Sequence, residues 1–183
     1  MTASVAIVTG AASGIGLATV GLFRDRGWSV VAVDRHEAKL AELTRGDTLA
    51  TLPGDVTDES VNEAAVALAE ERFGGLDAVV LNAGVPGSGH IDTIDLDVFD
   101  RTIEVNLRAA MLGMRASVPA LRRRGAGSIV VTASNTGLAG EEQRFPYAAA
   151  KAGVINLCRS VALDLGPDAI RVNAVCPGPT ITG

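Results

Sequence analysis

Short apolar runs alternate along the chain with longer segments of helical periodicity, and this alternation limits the possible folds more than any other feature. Several of the short runs are continuously apolar, which is typical of parallel strands buried on both faces of a sheet. The predicted strands are Val5–Thr9, Val30–Asp34, Thr48–Leu52, Ala78–Asn82, Ser128–Ala133 and Arg171–Ala174. The predicted helices lie between them at about Ile15–Arg26, Glu37–Thr44, Glu59–Phe73, Leu96–Arg123 and Tyr147–Leu165.

This order of elements favours an α/β fold with a doubly wound parallel sheet, a Rossmann-type arrangement of three α/β/α layers. Asp58 and Asp95 are expected to cap helix N-termini, and Gly27 and Gly74 to end helices. A chain of 183 residues is long enough for a sizeable core, and 48% of it is hydrophobic. We therefore expect one domain over residues 1–183. Ligands in such sheets bind beyond the carboxyl ends of the strands.

Composition excludes several classes of partner. The formal net charge is −5, so no basic surplus points to nucleic acid. The short basic run at 122–124 is interpreted as a solvated helix end, with phosphate binding as the less favoured alternative.

Cys158 and Cys176 indicate buried thiols rather than a disulfide framework. The N-terminus shows no signal-peptide pattern and no run reaches the length of a membrane span, so we expect a cytoplasmic protein. No His, Cys or Asp spacing suggests a metal site.

A glycine-rich turn follows the first predicted strand directly. The segment Thr9–Gly16 reads T-G-A-A-S-G-I-G, and a helix begins at once. Glycines allow backbone N–H groups to approach a pyrophosphate, and the helix N-terminus favours the anion. The spacing differs from the common G-x-G-x-x-G pattern. Gly10, Ser13, Gly14, Ile15 and Gly16 are therefore candidate dinucleotide-binding residues, although a plain glycine-rich turn would read similarly.

An acidic residue ends the second predicted strand. The Asp34 carboxylate can accept hydrogen bonds from adenosine ribose hydroxyls and would repel a 2′-phosphate, which favours NAD over NADP. Arg35 weakens this preference because an arginine can pair with a 2′-phosphate. The structural alternative is that Asp34 only caps the next helix.

Two further turns follow predicted strands at the same edge of the sheet. Asp55 and Val56 come after the third strand, where an aspartate can meet the adenine edge. Asn82, Ala83 and Gly84 come after the fourth strand, and their small residues would permit close approach of the backbone to a cofactor. Each turn taken alone is ordinary.

Tyr147 and Lys151 stand four residues apart in an alanine-rich segment that should be helical, so their side chains share one face. A free phenol has a pKa of about 10, and a neighbouring ammonium favours its ionised form. Such a pair can donate and accept a proton near neutral pH. The spacing alone also occurs in ordinary amphipathic helices.

Taken together, these segments resemble the short-chain dehydrogenase/reductase family, in register from Thr9 onward. The matching segments are T-G-x-x-x-G-x-G at Thr9–Gly16, Asp34, Asp55-Val56, N-A-G at Asn82–Gly84, Asn106, Ser134, Tyr147-x-x-x-Lys151 and Pro177-Gly178. The resemblance implies an oxidoreductase that transfers a hydride between NAD(H) and a secondary alcohol or ketone. NADP is the less favoured cofactor.

The resemblance also implies a role for each matching residue. Tyr147 would be the general acid/base, and Lys151 would favour its ionised form and hold the nicotinamide ribose. Ser134 would hydrogen-bond the substrate oxygen. Asn106 would hold a water that links Lys151 to solvent, although an exposed surface asparagine is the common case in a helix. Residues expected to flank the nicotinamide are Pro177, Gly178, Thr180 and Thr182.

Family members usually continue beyond the strand that precedes Gly183, with substrate-lid helices and a seventh strand. We therefore expect a sheet that lacks its last strand. A homodimer is expected through the fourth and fifth predicted helices, with contacts from Met111, Met114, Ala148, Ala149 and Ala152. Substrate contacts should come from 85–91 and 137–146, whose charges could equally be solvated loop tips. The alternative function is a non-catalytic dinucleotide-binding module, or an inactive fragment of such an enzyme.

Overall fold

Six parallel strands form a single sheet in the computed structural model, which describes residues 3–43 and 46–180. The strands are β1 (Val5–Thr9), β2 (Ser29–Asp34), β3 (Leu49–Pro53), β4 (Ala78–Leu81), β5 (Gly127–Thr132) and β6 (Ile170–Val175). Their spatial order is β3-β2-β1-β4-β5-β6. All five neighbouring pairs run parallel, as in the pairing of Ile7 with Val31. The predicted doubly wound architecture is confirmed, with strand ends within two residues of the prediction.

Helices cover both faces of this sheet. They are α1 (Gly14–Asp25), α2 (Glu37–Ala41), α3 (Glu59–Phe73), α4 (Leu96–Ile103), α5 (Ala109–Arg124) and α6 (Phe145–Leu165). Every residue of β1 is buried, and its alternate side chains enter two separate cores. Val5 and Ile7 join the larger core, and Val8 joins the smaller core on the opposite face. Burial on both faces explains why the strands read as continuous apolar runs.

The long helix predicted at 96–123 is interrupted. A π-helical turn at Glu104–Arg108 separates α4 from α5. A π-helical turn inside a helix is rare and commonly marks a functional site. Apolar periodicity does not reveal it, because the helix continues on both sides.

The predicted helix caps are realised unevenly. Asp95 precedes α4 and its side chain accepts a hydrogen bond from the backbone N–H of Asp97. Asp58 occupies the equivalent position before α3 but makes no capping hydrogen bond with its side chain. Gly74 is the C-cap residue of α3, and its φ is 84°. Gly27 directly follows Arg26, the C-cap residue of α1, and its φ is 79°. Both glycines therefore take the left-handed conformation that ends helices.

One expectation about the predicted interface is corrected. Met114 is buried in the core of this chain, so it is not available for an interface, whereas Met111, Ala149 and Ala152 are exposed and Ala148 is half-buried. The basic run at the end of α5 is exposed, which agrees with its interpretation as a solvated helix end. Its three arginines pair with carboxylates on other elements: Arg122 with Asp168, Arg123 with Glu70 and Arg124 with Asp77.

The two cysteines differ in their surroundings. Cys158 is buried, as predicted, and burial together with the nearby Cys176 raises the pKa of its thiol to about 11. Cys176 is only partly buried.

Candidate active site

A cleft of ≈ 420 Å³ lies at the carboxyl ends of the strands. Its floor spans the point where β1 and β4 are neighbours and the strand order reverses, which is where ligands bind in doubly wound sheets. It brings together most of the residues singled out in the sequence. These are Gly10, Ser13, Gly14, Ile15, Asp34, Arg35, Asp55, Val56, Asn82, Ala83, Gly84, Tyr147 and Lys151.

The remaining predicted residues do not line the cleft, and several unpredicted ones do. Gly16, Asn106, Ser134, Pro177, Gly178 and Thr180 lie outside the lining, and Thr182 falls outside the described residues. The lining residues without a predicted role are His36, Gly54, Arg101, Val105 and Thr132. Val85, Pro86 and Arg144 also line the cleft, and they belong to the segments 85–91 and 137–146 that the sequence predicts as substrate contacts.

The glycine-rich turn depends on missing side chains at two positions. Gly10 has a φ of 64°, and a Cβ there would lie 2.9 Å from the Cα of Ala83. A Cβ on Gly16 would lie 2.0 Å from the carbonyl oxygen of Gly10. Gly16 therefore packs α1 against the turn and does not face the cleft. The N-terminus of α1 points into the cleft and carries partial positive charge.

Asn82 follows β4 and connects it by hydrogen bonds to the ends of β1 and β5 below the cleft. Its backbone N–H and that of Ala83 both donate to Thr9 Oγ1, at 3.0 and 3.1 Å. Its side-chain Nδ2 donates to the carbonyl oxygen of Thr9 at 3.2 Å, and its Oδ1 accepts from Thr132 Oγ1 at 3.0 Å. The predicted cofactor contact of this turn therefore rests on a fixed support from β1, β4 and β5.

Asp34 lies at one end of the cleft, buried except for 8% of its surface. One carboxylate oxygen accepts from the backbone N–H of Ala12 at 3.0 Å, and the other accepts from that of His36 at 2.9 Å. His36 precedes α2, so the capping alternative is partly realised. A carboxylate oxygen can accept more than one hydrogen bond, so both oxygens retain capacity for ligand hydroxyls.

Asp55 is engaged by the protein itself. Its Oδ2 accepts from Arg101 at 2.7 Å, while its Oδ1 accepts from Thr57. Burial raises the pKa of Asp55, but the hydrogen bonds from Thr57 and Arg101 outweigh it and hold the pKa below the usual value. The sequence gives no sign of this pair, whose members are 46 residues apart. Contact of Asp55 with an adenine edge stays a prediction.

Asn106 sits inside the π-helical turn and is 2% exposed, so the common case of a surface asparagine does not apply. Its Nδ2 donates to the carbonyl oxygens of Val85 and Thr102, both at 2.9 Å. Its Oδ1 accepts from the Val85 N–H at 3.3 Å. A Cβ on Gly84 would lie 2.7 Å from this Oδ1 and 3.6 Å from Lys151 Nζ, so Gly84 lets both side chains approach the turn.

Tyr147 and Lys151 lie one turn apart on α6, as predicted. Lys151 is 3% exposed, and its Nζ donates to the carbonyl oxygen of Thr132 at 2.7 Å. Nζ is also 5.5 Å from the centre of the Tyr147 ring. Burial lowers the pKa of Lys151 to about 8, because desolvation disfavours its charged form. A buried amine with a shifted pKa beside a phenol in a cleft is a candidate for proton transfer.

Ser134 is buried in the turn after β5. Its Oγ accepts from the Thr136 N–H and contacts Asn135 Oδ1, both at 3.2 Å. The short 3₁₀ helix at Asn135–Gly137 packs on the backbone of α6: a Cβ on Gly137 would lie 2.7 Å from the carbonyl carbon of Lys151. The turn that carries Ser134 is therefore fixed to the helix that carries Tyr147.

The segment after β6 lies beside this turn. The Asn135 N–H donates to the carbonyl oxygen of Pro177 at 3.0 Å, and Thr180 Oγ1 donates to that of Gly178 at 3.0 Å. Gly178 is also close to the Asn135 side chain. Contact of this segment with a nicotinamide stays a prediction.

Arg144 completes the cleft beside Tyr147. Its guanidinium carbon lies 5.1 Å from the centre of the Tyr147 ring. Its Nε is buried and has no hydrogen-bond partner. From the sequence alone, the charged segment around Arg144 could face either substrate or solvent. The structure places Arg144 in the cleft.

Two further features concern metal ions and membranes. Within it, no three His, Cys, Asp or Glu side chains are grouped so that they could hold a metal ion. None of the helices in residues 3–43 and 46–180 combines the length and the apolar character needed to cross a membrane.

Comparison with known proteins agrees with this geometry. Two relatives are 2-(R)-hydroxypropyl-CoM dehydrogenase of Xanthobacter autotrophicus, 41% identical, and trans-4-hydroxycyclohexanecarboxylate dehydrogenase of Sinomonas cyclohexanicum, 42% identical. These alignments cover 95% and 97% of this chain and 73% of each relative. The crystal structure of 3-ketoacyl-(acyl-carrier-protein) reductase from Brucella melitensis, complexed with NADH, superposes with a TM-score of 0.92 at 32% identity. That superposition covers 98% of this chain and 77% of the reductase.

A family model described as short chain dehydrogenase matches residues 4–183. The related proteins are named as dehydrogenases and reductases, which supports an oxidoreductase role. The chain belongs to the short-chain dehydrogenase family.

Proposed function

We propose that this chain is an NAD-dependent oxidoreductase that interconverts a secondary alcohol and a ketone. The observation that carries the proposal is the pairing of a buried Lys151 with Tyr147 in the cleft that also contains Asp34. A site for binding alone has no need of a buried ammonium beside a phenol, because burying that charge is costly.

The residues present fit a nicotinamide dinucleotide. The Gly10 turn has no room for a side chain, because a Cβ there would lie 2.9 Å from the Cα of Ala83, and it lies at the N-terminus of α1, which favours a pyrophosphate. The related reductase of Brucella melitensis was solved with NADH. When bound, the cofactor accepts or supplies the hydride, and the protein sets orientation and protonation.

Asp34 supports NAD as the preferred cofactor. Its carboxylate is buried and fixed by two backbone N–H groups, so it cannot easily turn away from a ligand. A 2′-phosphate next to this charge would be repelled, whereas ribose hydroxyls can donate to it. Arg35 also lines the cleft but is exposed, so a pair between it and a phosphate would be weakened by water.

The proton steps are assigned to side chains of α6 and the π-helical turn. Tyr147 would exchange a proton with the substrate oxygen, and Lys151 would favour the ionised phenol. Asn106 would position a water beside Lys151, and both side chains approach the same turn at Gly84. Ser134 would hydrogen-bond the substrate oxygen once substrate is present.

The test is Tyr147→Phe, assayed with NADH and a panel of ketones. We expect turnover to fall by about 10²- to 10⁴-fold, the usual contribution of a positioned acid/base group, while the Kd for NADH stays within about threefold of wild type. Unchanged turnover would remove Tyr147 from the mechanism.

The second candidate function is a non-catalytic dinucleotide-binding module. The absence of Ser134 from the cleft lining is the observation that favours it. Under this alternative the wild-type chain binds NADH but oxidises it with none of the ketones, and Tyr147→Phe changes nothing measurable.

We also propose a cytoplasmic homodimer that forms through α4, α5 and α6. Met111, Ala149 and Ala152 are exposed on these helices. A charged residue in their place should weaken such a contact. Light scattering of wild type and Ala149→Arg should give a dimer and a monomer, and a monomeric wild type would contradict the proposal.

A further inference from the structure

Arg144 is a cation beside the proposed reacting centre that has no part in the proton steps described above. Its guanidinium lies over the Tyr147 ring, with 5.1 Å between Cζ and the ring centre, and it lines the cleft. The buried Nε has no acceptor among the described residues. A guanidinium N–H that is buried without an acceptor costs free energy unless a ligand supplies one.

The charge of Arg144 is not neutralised by the protein. None of the ion pairs formed between described residues includes it. Glu141 precedes Arg144 by three residues but does not pair with it. Its carboxylate accepts a hydrogen bond from Thr136 Oγ1 at 2.8 Å. The other cation facing the phenol is Lys151, so this end of the cleft combines two positive charges.

The start of α6 adds to this positive potential. Arg144 immediately precedes the helix, and the first turn contains no acidic residue. The unsatisfied N–H groups of a helix N-terminus carry partial positive charge. The local field therefore favours an anion close to Tyr147.

We infer that Arg144 recognises an anionic group on the substrate, so that the substrate is a hydroxy acid or keto acid. This inference rests on the proposed function for the reaction itself. Arginine presents a planar set of N–H donors that matches a carboxylate through two parallel hydrogen bonds. Because Arg144 lies directly over the Tyr147 ring, the carboxylate must be only a few bonds from the reacting carbon.

The competing explanation is that Arg144 acts only on Tyr147 through its charge. In that case Arg144 affects charged and neutral substrates alike. A comparison of substrates that differ only in the anion separates the two explanations.

The kinetic experiment uses 4-oxocyclohexanecarboxylate and its neutral amide, with NADH, on the full chain. We expect Arg144→Gln to lower the ratio of kcat/KM for the acid to that for the amide by about 100-fold, mainly through KM. Arg144→Lys, which keeps the charge but loses the planar donor pair, should restore part of that ratio. Arg159→Gln, on an exposed arginine farther along α6, is the matched control and should leave the ratio unchanged. An unchanged ratio in Arg144→Gln overturns the inference.

A binding experiment tests recognition of the anion by Arg144 independently of turnover. The ¹⁵N–¹H signal of the Arg144 Nε, assigned by its loss in Arg144→Lys, is followed while cyclohexanecarboxylate and then cyclohexanecarboxamide are added. A saturable shift with the carboxylate and none with the amide supports recognition of the anion, whether or not the chain turns over any ketone. No shift with the carboxylate overturns it. NADH binding, measured in parallel, reports separately on the proposed function.

Discussion

The ammonium of Lys151 donates a hydrogen bond of 2.7 Å to the carbonyl oxygen of Thr132, the last residue of β5. This contact joins α6 to the sheet at the edge where the cleft opens. It also fixes the charge of a buried lysine next to Tyr147. The position of Lys151 is therefore set by the packing of a helix on a strand and not by its own flexible side chain.

Burial of Lys151 should make the stability of the protein depend on pH. The pKa of this lysine is about 8 in the folded protein, against an ordinary value of 10.5. Between these values the unfolded chain binds more protons than the folded one, so the free energy of unfolding rises with pH. We expect Lys151→Met to remove about 1 kcal/mol of the rise between pH 7 and pH 9. Urea unfolding of both proteins at the two pH values measures it.

A second buried group changes stability in the same pH range, but it cancels in this comparison. Burial raises the pKa of Cys158 from 9.0 to about 11, so stability begins to fall as the pH approaches 9, equally in wild type and Lys151→Met. An identical rise in wild type and Lys151→Met would contradict the account of Lys151.

Gly137→Ala should impair turnover more than cofactor binding. The new Cβ would lie 2.7 Å from the carbonyl carbon of Lys151. The atoms nearest to it all belong to the backbone of α6, so no flexible side chain can move aside to make room. The turn that carries Ser134 must then move away from α6, at a cost of about 1–3 kcal/mol in unfolding free energy. We expect kcat to fall while the Kd for NADH is maintained.

Gly140→Ala is the matched control for this substitution, since a Cβ at Gly140 meets nothing within 4 Å. It should unfold at the same urea concentration as wild type and keep its kcat. Equal effects of the two substitutions would show that the contact between Gly137 and α6 has no special importance.

Asp34→Asn should change the cofactor preference. The substitution removes the negative charge that repels a 2′-phosphate while keeping nearly the same side-chain volume. We expect the ratio of the Kd for NADPH to that for NADH to fall by about tenfold, because one charge-assisted contact is exchanged for a neutral one. Both Kd values are measured on the same preparation, so a smaller fraction of folded protein affects both equally and leaves their ratio unchanged. A constant ratio would exclude Asp34 as the discriminating group.

The elements that the sequence predicts well are those whose signal is local. Val5–Thr9 reads as a buried strand because each of its residues is covered on one face or the other. The turn at Gly10 is recognisable because glycine there has a positive φ and lies against Ala83. Tyr147 and Lys151 share a helix face through spacing alone.

The features that the sequence does not predict depend on contacts between distant segments. Asn106 is held by Val85, 21 residues away, and the π-helical turn that positions it leaves no mark in apolar periodicity. Arg101 reaches Asp55 across 46 residues. Sequence also does not show what covers Met114, which lies in the core of this chain and not on the expected interface. In the same way, the sequence does not show whether Arg144 faces solvent or the cleft.

The most direct test of the central claim is a calorimetric titration of the 183-residue chain with NADH and then with NADPH. The proposed function predicts binding of one NADH per chain, tighter than NADPH, because Asp34 is proposed to accept hydrogen bonds from the adenosine ribose. Tighter binding of NADPH would contradict the role of Asp34. Failure to bind either cofactor would contradict the assignment of the cleft as a dinucleotide site.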